Sequence, residues 1–280
     1  MNIKEKQNLT SKWFEELRNK ICTEFENIEA EFADKNKLTA GKFERKNWQR
    51  EGGGGGEMSI MKGNIFEKVG VNISTVFGKF NDEFKDQIPG AKEDPNFWAS
   101  GVSLVAHMSS PLVPAIHMNT RFICTTKSWF GGGADLNPMI EDETDTQAFH
   151  KKLKETCDQY DENYYPKFKK WCDEYFFIKH RNEARGVGGI FYDYLNTDNF
   201  ENDFNFTKDV GLAFLDIFPK LVRKNMFKKF SPKEREIQLI KRGRYAEFNL
   251  IYDRGTKFGL MTGGNTEAIL MSLPPVAKWN

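Results

Sequence analysis

The chain has 280 residues, 41 of them basic and 40 acidic, for a net charge of +1. So even a balance argues against bulk electrostatic capture of nucleic acid or a membrane surface and leaves only a local basic pocket open. With 39% hydrophobic residues and 25 phenylalanines, a large core can form in one domain or two.

In chain order, Trp13, Leu17, Ile21, Phe25, Ile28 and Phe32 recur at helical spacing, which predicts an amphipathic N-terminal helix over 11–33. "REGGGGGEMS" follows. It lacks the Gly-Lys-Ser/Thr ending of a phosphate cradle, so Gly52–Gly56 reads as a flexible connector. From residue 64 the period becomes two: Val69, Val71 and Ile73 mark a strand, and "SGVSLVAHM" and "AIHMNTRFICTT" give two more, joined by a proline-containing bend. "WFGGGADLNP" reads as a tight glycine turn at a pocket rim. Thr144-x-x-Gln147 resembles a capping box opening a helix through Phe149, Leu153, Cys157, Tyr160 and Tyr164; Pro166 separates it from a second one carrying Phe168, Trp171 and Tyr175. "GGIFYDYL" at 188–195 is another strand, and 207–226 reads as helix despite Pro219. Ser231-Pro232-Lys233-Glu234 is a strong helix start. "YAEFNLIY" and "KFGLMTGG" flank Asp253-Arg254-Gly255-Thr256 and read as a hairpin.

Strands joined by short turns pair antiparallel, and helices come in blocks rather than in strict alternation with strands. The expectation is a single α+β domain over 1–280, with a large, mainly antiparallel sheet of about seven strands flanked by helices on both faces. Cys22, Cys124, Cys157 and Cys172 show no CxxC or zinc spacing and read as free thiols of a reducing compartment. The opening stretch lacks an apolar signal core, and no apolar run reaches membrane-spanning length, so a cytoplasmic protein is expected.

Chemistry concentrates in "AHMSSPLVPAIHMNTRF", residues 106–122. Alternation puts Ser103, Val105 and His107 on one face of the first strand and His117, Asn119 and Arg121 on one face of the second. Whether the two faces coincide depends on register. A guanidinium fork suits a carboxylate, and imidazole suits proton transfer near neutrality. The bland alternative is two structural histidines on a solvated strand. "VSLVA" and "LVPAI" are too apolar for that.

"SGVSLVAH…VPAIHMNTRF", "WFGGGADLNP", "IKHRNEARGVGGIFYDYL", "GRYAEFNLIYDRGTKFGL" and "TGGNTEAILMSLPP" together, in collinear order from about Glu44 to Trp279, resemble the oxygen-dependent coproporphyrinogen III oxidases. The resemblance implies oxidative decarboxylation of two propionates of coproporphyrinogen III to vinyls, giving protoporphyrinogen IX in haem biosynthesis, with dioxygen as oxidant. It implies His117 as proton donor and Asp193 as the group holding the pyrrole N–H atoms. Substrate contacts are implied at Ser103, Asn119, Thr120, Arg121, Gly263, Gly264 and Asn265. A homodimer formed from about residue 245 onward is implied as well. Part of the family assigns a divalent metal to residues matching His107, His117, His150 and His180. No flavin, haem or nicotinamide motif is present, and catalysis needing no cofactor beyond dioxygen is favoured over a required metal. A non-haem metal oxygenase and a tetrapyrrole-binding protein without chemistry are the rival readings.

Overall fold

The computed structural model describes residues 1–80, 85, 86, 88–261 and 263–279. Its helices are α1 (Ile3–Asn36), α2 (Glu143–Asp158), α3 (Tyr164–Tyr175), α4 (Phe200–Asn225), α5 (Pro232–Ile251), α6 (Arg254–Met261) and α7 (Thr266–Leu270). Its strands are β1 (Glu44–Gln49), β2 (Gly54–Met61), β3 (Phe66–Lys79), β4 (Asn96–Met108), β5 (Ala115–Cys124), β6 (Ser128–Asn137), β7 (Phe177–Ile178), β8 (Glu183–Ala184) and β9 (Gly188–Leu195). Strands β1 to β6 and then β9 form one seven-stranded sheet in that spatial order, every pair antiparallel, while β7 and β8 make a small hairpin apart from it. The α+β expectation with a large antiparallel sheet is borne out.

Alternation gives the sheet two unlike faces. One carries Val69, Val71, Val102, Leu104, Met118, Phe122, Ala134 and Tyr192, all buried in the main core with Phe14, Leu17 and Phe25 of α1 and Phe206, Phe214 and Phe218 of α4. Each such side chain taken out of water contributes about 1.5–3 kcal/mol, so this face anchors the fold. The opposite face carries Lys68, Asn72, Ser103, His107, His117, Asn119, Arg121 and Asp135. It is crossed by the C-terminal segment: Asn72 Nδ2 donates to Ala268 O (2.9 Å) and Lys68 Nζ to Leu273 O (2.9 Å). One face therefore supplies stability and leaves the other free to carry polar groups.

Several expected elements take another form. The N-terminal helix runs over Ile3–Asn36 rather than 11–33, because a capping box of Asn2 and Glu5 starts it two turns before the apolar stripe. The glycine connector is instead the start of β2: Gly54, Gly55 and Gly56 pair with β1 and β3, and a Cβ at each would run into Thr75 O, Trp48 O and Ile73 O respectively. "WFGGGADLN" is strand β6, not a turn. Helix α2 is capped by Asp142, which accepts from the backbone N–H of Thr144 and Asp145, and not by Thr144. The expected C-terminal hairpin is α5 and α6, with residue 262 outside the described residues. Gln238, Leu239, Arg242, Tyr245, Ala246 and Asn249 are buried at helical spacing. Asp253 accepts from Thr256 N (2.7 Å) as a helix cap rather than closing a hairpin turn. The seven strands are completed by β1, β2 and β6 in place of the C-terminal pair.

Candidate functional site

Register decides what the two histidine strands can do together. In β4 and β5, Val105 lies opposite His117, Ser103 opposite Asn119 and Gly101 opposite Arg121. Paired residues share a face, so the two polar faces coincide. On the other side of β5, His117 lies opposite Asp135 and Arg121 opposite Gly131 of β6.

These pairings align one continuous run of hydrogen bonds. Asp193 on β9 pairs with Arg121 Nη2 at 2.8 Å. Arg121 Nη1 donates to Asn119 Oδ1 at 2.9 Å, and Asn119 Nδ2 lies 3.1 Å from His117 Nε2. His117 Nδ1 lies 2.7 Å from Asp135 Oδ1, and Asp135 Oδ2 accepts from Arg185 Nη2 (2.7 Å) and Asn137 Nδ2 (2.9 Å). Proton positions follow from chemistry. A guanidinium only donates, so the oxygen of Asn119 faces Arg121 and its amide N–H faces His117. Nε2 of His117 must then accept, and its proton sits on Nδ1, directed at the carboxylate.

Asp135 is buried, which alone would push its carboxyl up, but the charge of Arg185 and the hydrogen bonds from His117 and Arg185 hold it down at about 2. It is therefore an anion at neutral pH. Arg185 is equally buried, its guanidinium 4.0, 4.5 and 4.7 Å from the ring centroids of Phe176, Tyr245 and Phe248. Three ring faces replace the lost water. His117 and Arg121 remain half-buried, so the open end of the network is the Arg121–Asn119–His117 edge. Gly131 makes that edge possible: a Cβ there would stand 2.7 Å from Asp193 Oδ1 and 2.9 Å from Arg121 Cζ, where the ion pair crosses β6.

The other expected residues distribute unevenly. Ser103 lies beside Asn119 and Asn72 on the polar face. Thr120 points to the opposite face and is fully buried, as period two requires of the residue between Asn119 and Arg121. Gly263, Gly264 and Asn265 link α6 to α7, and Asn265 Oδ1 caps α7 by accepting from Ala268 N at 2.9 Å. His107 is fully buried with Nε2 2.9 Å from Ser272 O. His150 bonds Val187 O and Tyr165 OH, each at 3.0 Å. His180 bonds Glu247 and Tyr252 at the β7–β8 hairpin. Each histidine thus has its own partners, and among the described residues no group of three or more His, Cys, Asp or Glu is placed to hold a metal. The four do not fit one shared ion. Asp135, Arg185 as its counter-ion, and Asn249, which accepts from Arg185 Nη1 at 2.9 Å, complete the network. Sequence reasoning missed Asp135 and Asn249.

Burial carries a pH consequence. It pushes the His107 imidazole from about 6.5 to about 3, and it lowers His150 too. The unfolded chain takes up these protons as pH falls below 6.5 while the folded protein does not. Stability is therefore fully present above 6.5 and is lost on acidification, at about 1.4 kcal/mol per pH unit for each group wholly neutral in the fold. Denaturant midpoints should fall steadily from pH 6.5 to 4.5, and His107→Gln should flatten that slope by up to one proton. A slope unchanged by the substitution would show that His107 is not held neutral.

Buried, charged Asp135 and Arg185 behind His117, with an arginine and amide edge left open on an antiparallel sheet, are groups suited to an acidic guest and to proton transfer. Comparison with known proteins narrows the class. The family model described as coproporphyrinogen III oxidase matches residues 9–280. Proteins named oxygen-dependent coproporphyrinogen-III oxidase from Rickettsia akari, Rickettsia bellii and Rickettsia conorii are each 62% identical to this chain, with 100% of both sequences covered. The chain belongs to the coproporphyrinogen III oxidase family. Among the described residues no helix is long and apolar enough to cross a membrane.

Proposed function

We propose that the polar sheet face binds coproporphyrinogen III and converts two of its propionates to vinyl groups with dioxygen, giving protoporphyrinogen IX. In each step the arm loses CO2 from its outer chain carbon and a hydrogen from the chain carbon attached to the pyrrole, and the two electrons and two protons released reduce dioxygen to hydrogen peroxide. The observation that carries this reading is the Arg121–Asn119–His117–Asp135 alignment. Arg121 offers a fork to a propionate, Asn119 an amide beside it, and His117 a ring nitrogen backed by a fixed carboxylate. Ser103 lies on the same face, and Asp193 supplies an acceptor for pyrrole N–H groups once Arg121 turns to the substrate. Thr120 contributes through its backbone alone, since its side chain faces the core. Gly263, Gly264 and Asn265 precede α7, whose Ala268 O meets Asn72 on the same face, and that link supports a substrate contact from this turn.

No cofactor beyond dioxygen is proposed, because the four histidines do not meet. Chelator-treated protein given coproporphyrinogen in air should take up oxygen, release two CO2 per substrate and yield a porphyrin that fluoresces after oxidation. Loss of turnover on chelation, restored by a single metal, would favour the metal-oxygenase reading. Tight binding without CO2 would leave only a tetrapyrrole carrier. Arg121→Gln should raise KM about tenfold or more, with a smaller fall in kcat as Asn119 loses its orienting donor. An unchanged KM would remove the propionate role.

A cytoplasmic homodimer is part of the proposal. Leu250, Ile251, Leu260, Met261, Val276 and Trp279 are exposed apolar groups within 245–279, which supports pairing through that region. Sedimentation of wild type against Ile251→Glu with Leu260→Glu tests it: a monomeric wild type would overturn it.

A further inference from the structure

Ser272 lies on the C-terminal strap, away from the Arg121 edge, yet the directed hydrogen bonds end on it. Arg185 can only donate, so its Nη1 draws Asn249 Oδ1 toward itself and turns the Asn249 amide N–H to Ser272 Oγ, 3.1 Å away. The Ser272 hydroxyl donates in turn to Ile269 O at 3.3 Å. The carbonyl of the same residue meets His107 Nε2 at 2.9 Å. One strap residue thus orients Arg185 with its side chain and fixes the His107 tautomer with its backbone.

The aromatic cage does not make this orientation redundant. Ring faces confine the plane of the Arg185 guanidinium but leave it free to rotate within that plane. Two hydrogen bonds stop the rotation, Nη2 to Asp135 and Nη1 to Asn249. The strap itself is pinned through its main chain. Asn72 and Lys68 donate to Ala268 O and Leu273 O, Arg242 Nη1 donates to Val276 O at 3.4 Å, and the Met271 sulfur fills the space above Gly70. Those contacts set the strap's path, and the Ser272 hydroxyl joins it to the site.

We propose that Asn249 and Ser272 are positioning residues for the decarboxylation: they aim Arg185 at Asp135, and so make docking of the C-terminal strap a condition of turnover. The inference rests on the function proposed above. Ser272→Ala should lower kcat about tenfold with KM within twofold, since misplacement of a supporting group acts on the chemical step. Ser272→Thr, which keeps the hydroxyl, should restore most of it. Asn249→Ala should match the loss, and the double variant should lose no more than either single, because both break one chain.

Asn249→Asp separates positioning from folding. The shape is kept and Ser272 can donate to the new carboxylate, so the melting temperature should hold within a few degrees. A second carboxylate then competes with Asp135 for Arg185, and kcat should fall roughly tenfold. Full kcat in Asn249→Asp, multiplying losses in the double variant, or a loss confined to KM or to melting temperature would overturn the proposal while the wild type remains active. A wild type that releases no CO2 would overturn the functional reading and this proposal with it.

Discussion

Asp135→Asn is expected to abolish most turnover and to cost a large part of the fold's stability. Asp135 accepts from three donors, His117 Nδ1, Arg185 Nη2 and Asn137 Nδ2, at 2.7, 2.7 and 2.9 Å. An amide has one acceptor oxygen, and its own N–H atoms would face at least one of those donors. The buried guanidinium of Arg185 would also lose its counter-charge, a change that typically costs about 3–5 kcal/mol. Set against a total stability of about 5–15 kcal/mol, that loss is severe but survivable in the cold. With the carboxylate gone, the His117 Nδ1 proton loses its ionised acceptor and only Asn119 still orders the ring, and kcat should fall roughly 10²–10⁴-fold. Denaturant titration and turnover per folded molecule measure the two effects separately. A variant with kcat within twofold of wild type would remove Asp135 from the site, whatever its stability.

The same residue shows why part of the site could not be read from the chain. His117, Asn119 and Arg121 declare themselves, because a two-residue period is a local property and three polar groups recurring at it in an apolar run mark one polar strand face. Asp135 has no such signal. Its neighbours Gly131, Gly132 and Gly133 suggest a turn, and its role exists only because the β5–β6 register sets it opposite His117. Register of that kind is non-local. The glycines acquire their meaning the same way, Gly131 from the Arg121–Asp193 pair that crosses above it.

The stretch from Tyr245 onward was misread for a different reason. Tyr, Phe, Leu and Ile favour strands, and in "YAEFNLIY" that propensity outweighed a buried 3.6-residue spacing already visible from Gln238 to Asn249. The capping box at Ser231 and Glu234 starts a helix with nothing to stop it before Ile251. Extending the helix from its cap would have placed Tyr245 and Asn249 on one buried side. The four histidines, which the resemblance implied as a ligand set in part of the family, each have their own partners in this fold.

His117→Ala should leave the fold standing and remove the proton-transfer step, lowering kcat roughly 10²–10⁴-fold with little change in KM. The imidazole is half-buried, and Asp135 keeps Arg185 and Asn137 when it is gone, so stability should fall by only about 1–3 kcal/mol. A structural histidine would predict the same small loss of stability, which makes His117→Gln the decisive companion. Glutamine can donate one hydrogen bond toward Asp135 and so recover stability, but its amide cannot exchange a proton near neutral pH. If His117 moves a proton, the glutamine variant should be as slow as alanine within a few fold while melting closer to wild type. If the histidine only fills space and bridges Asn119 to Asp135, glutamine should recover turnover along with stability. Parallel recovery of both would end the proton-transfer assignment and return the role to another group on the same face, with Asp193 the first to test.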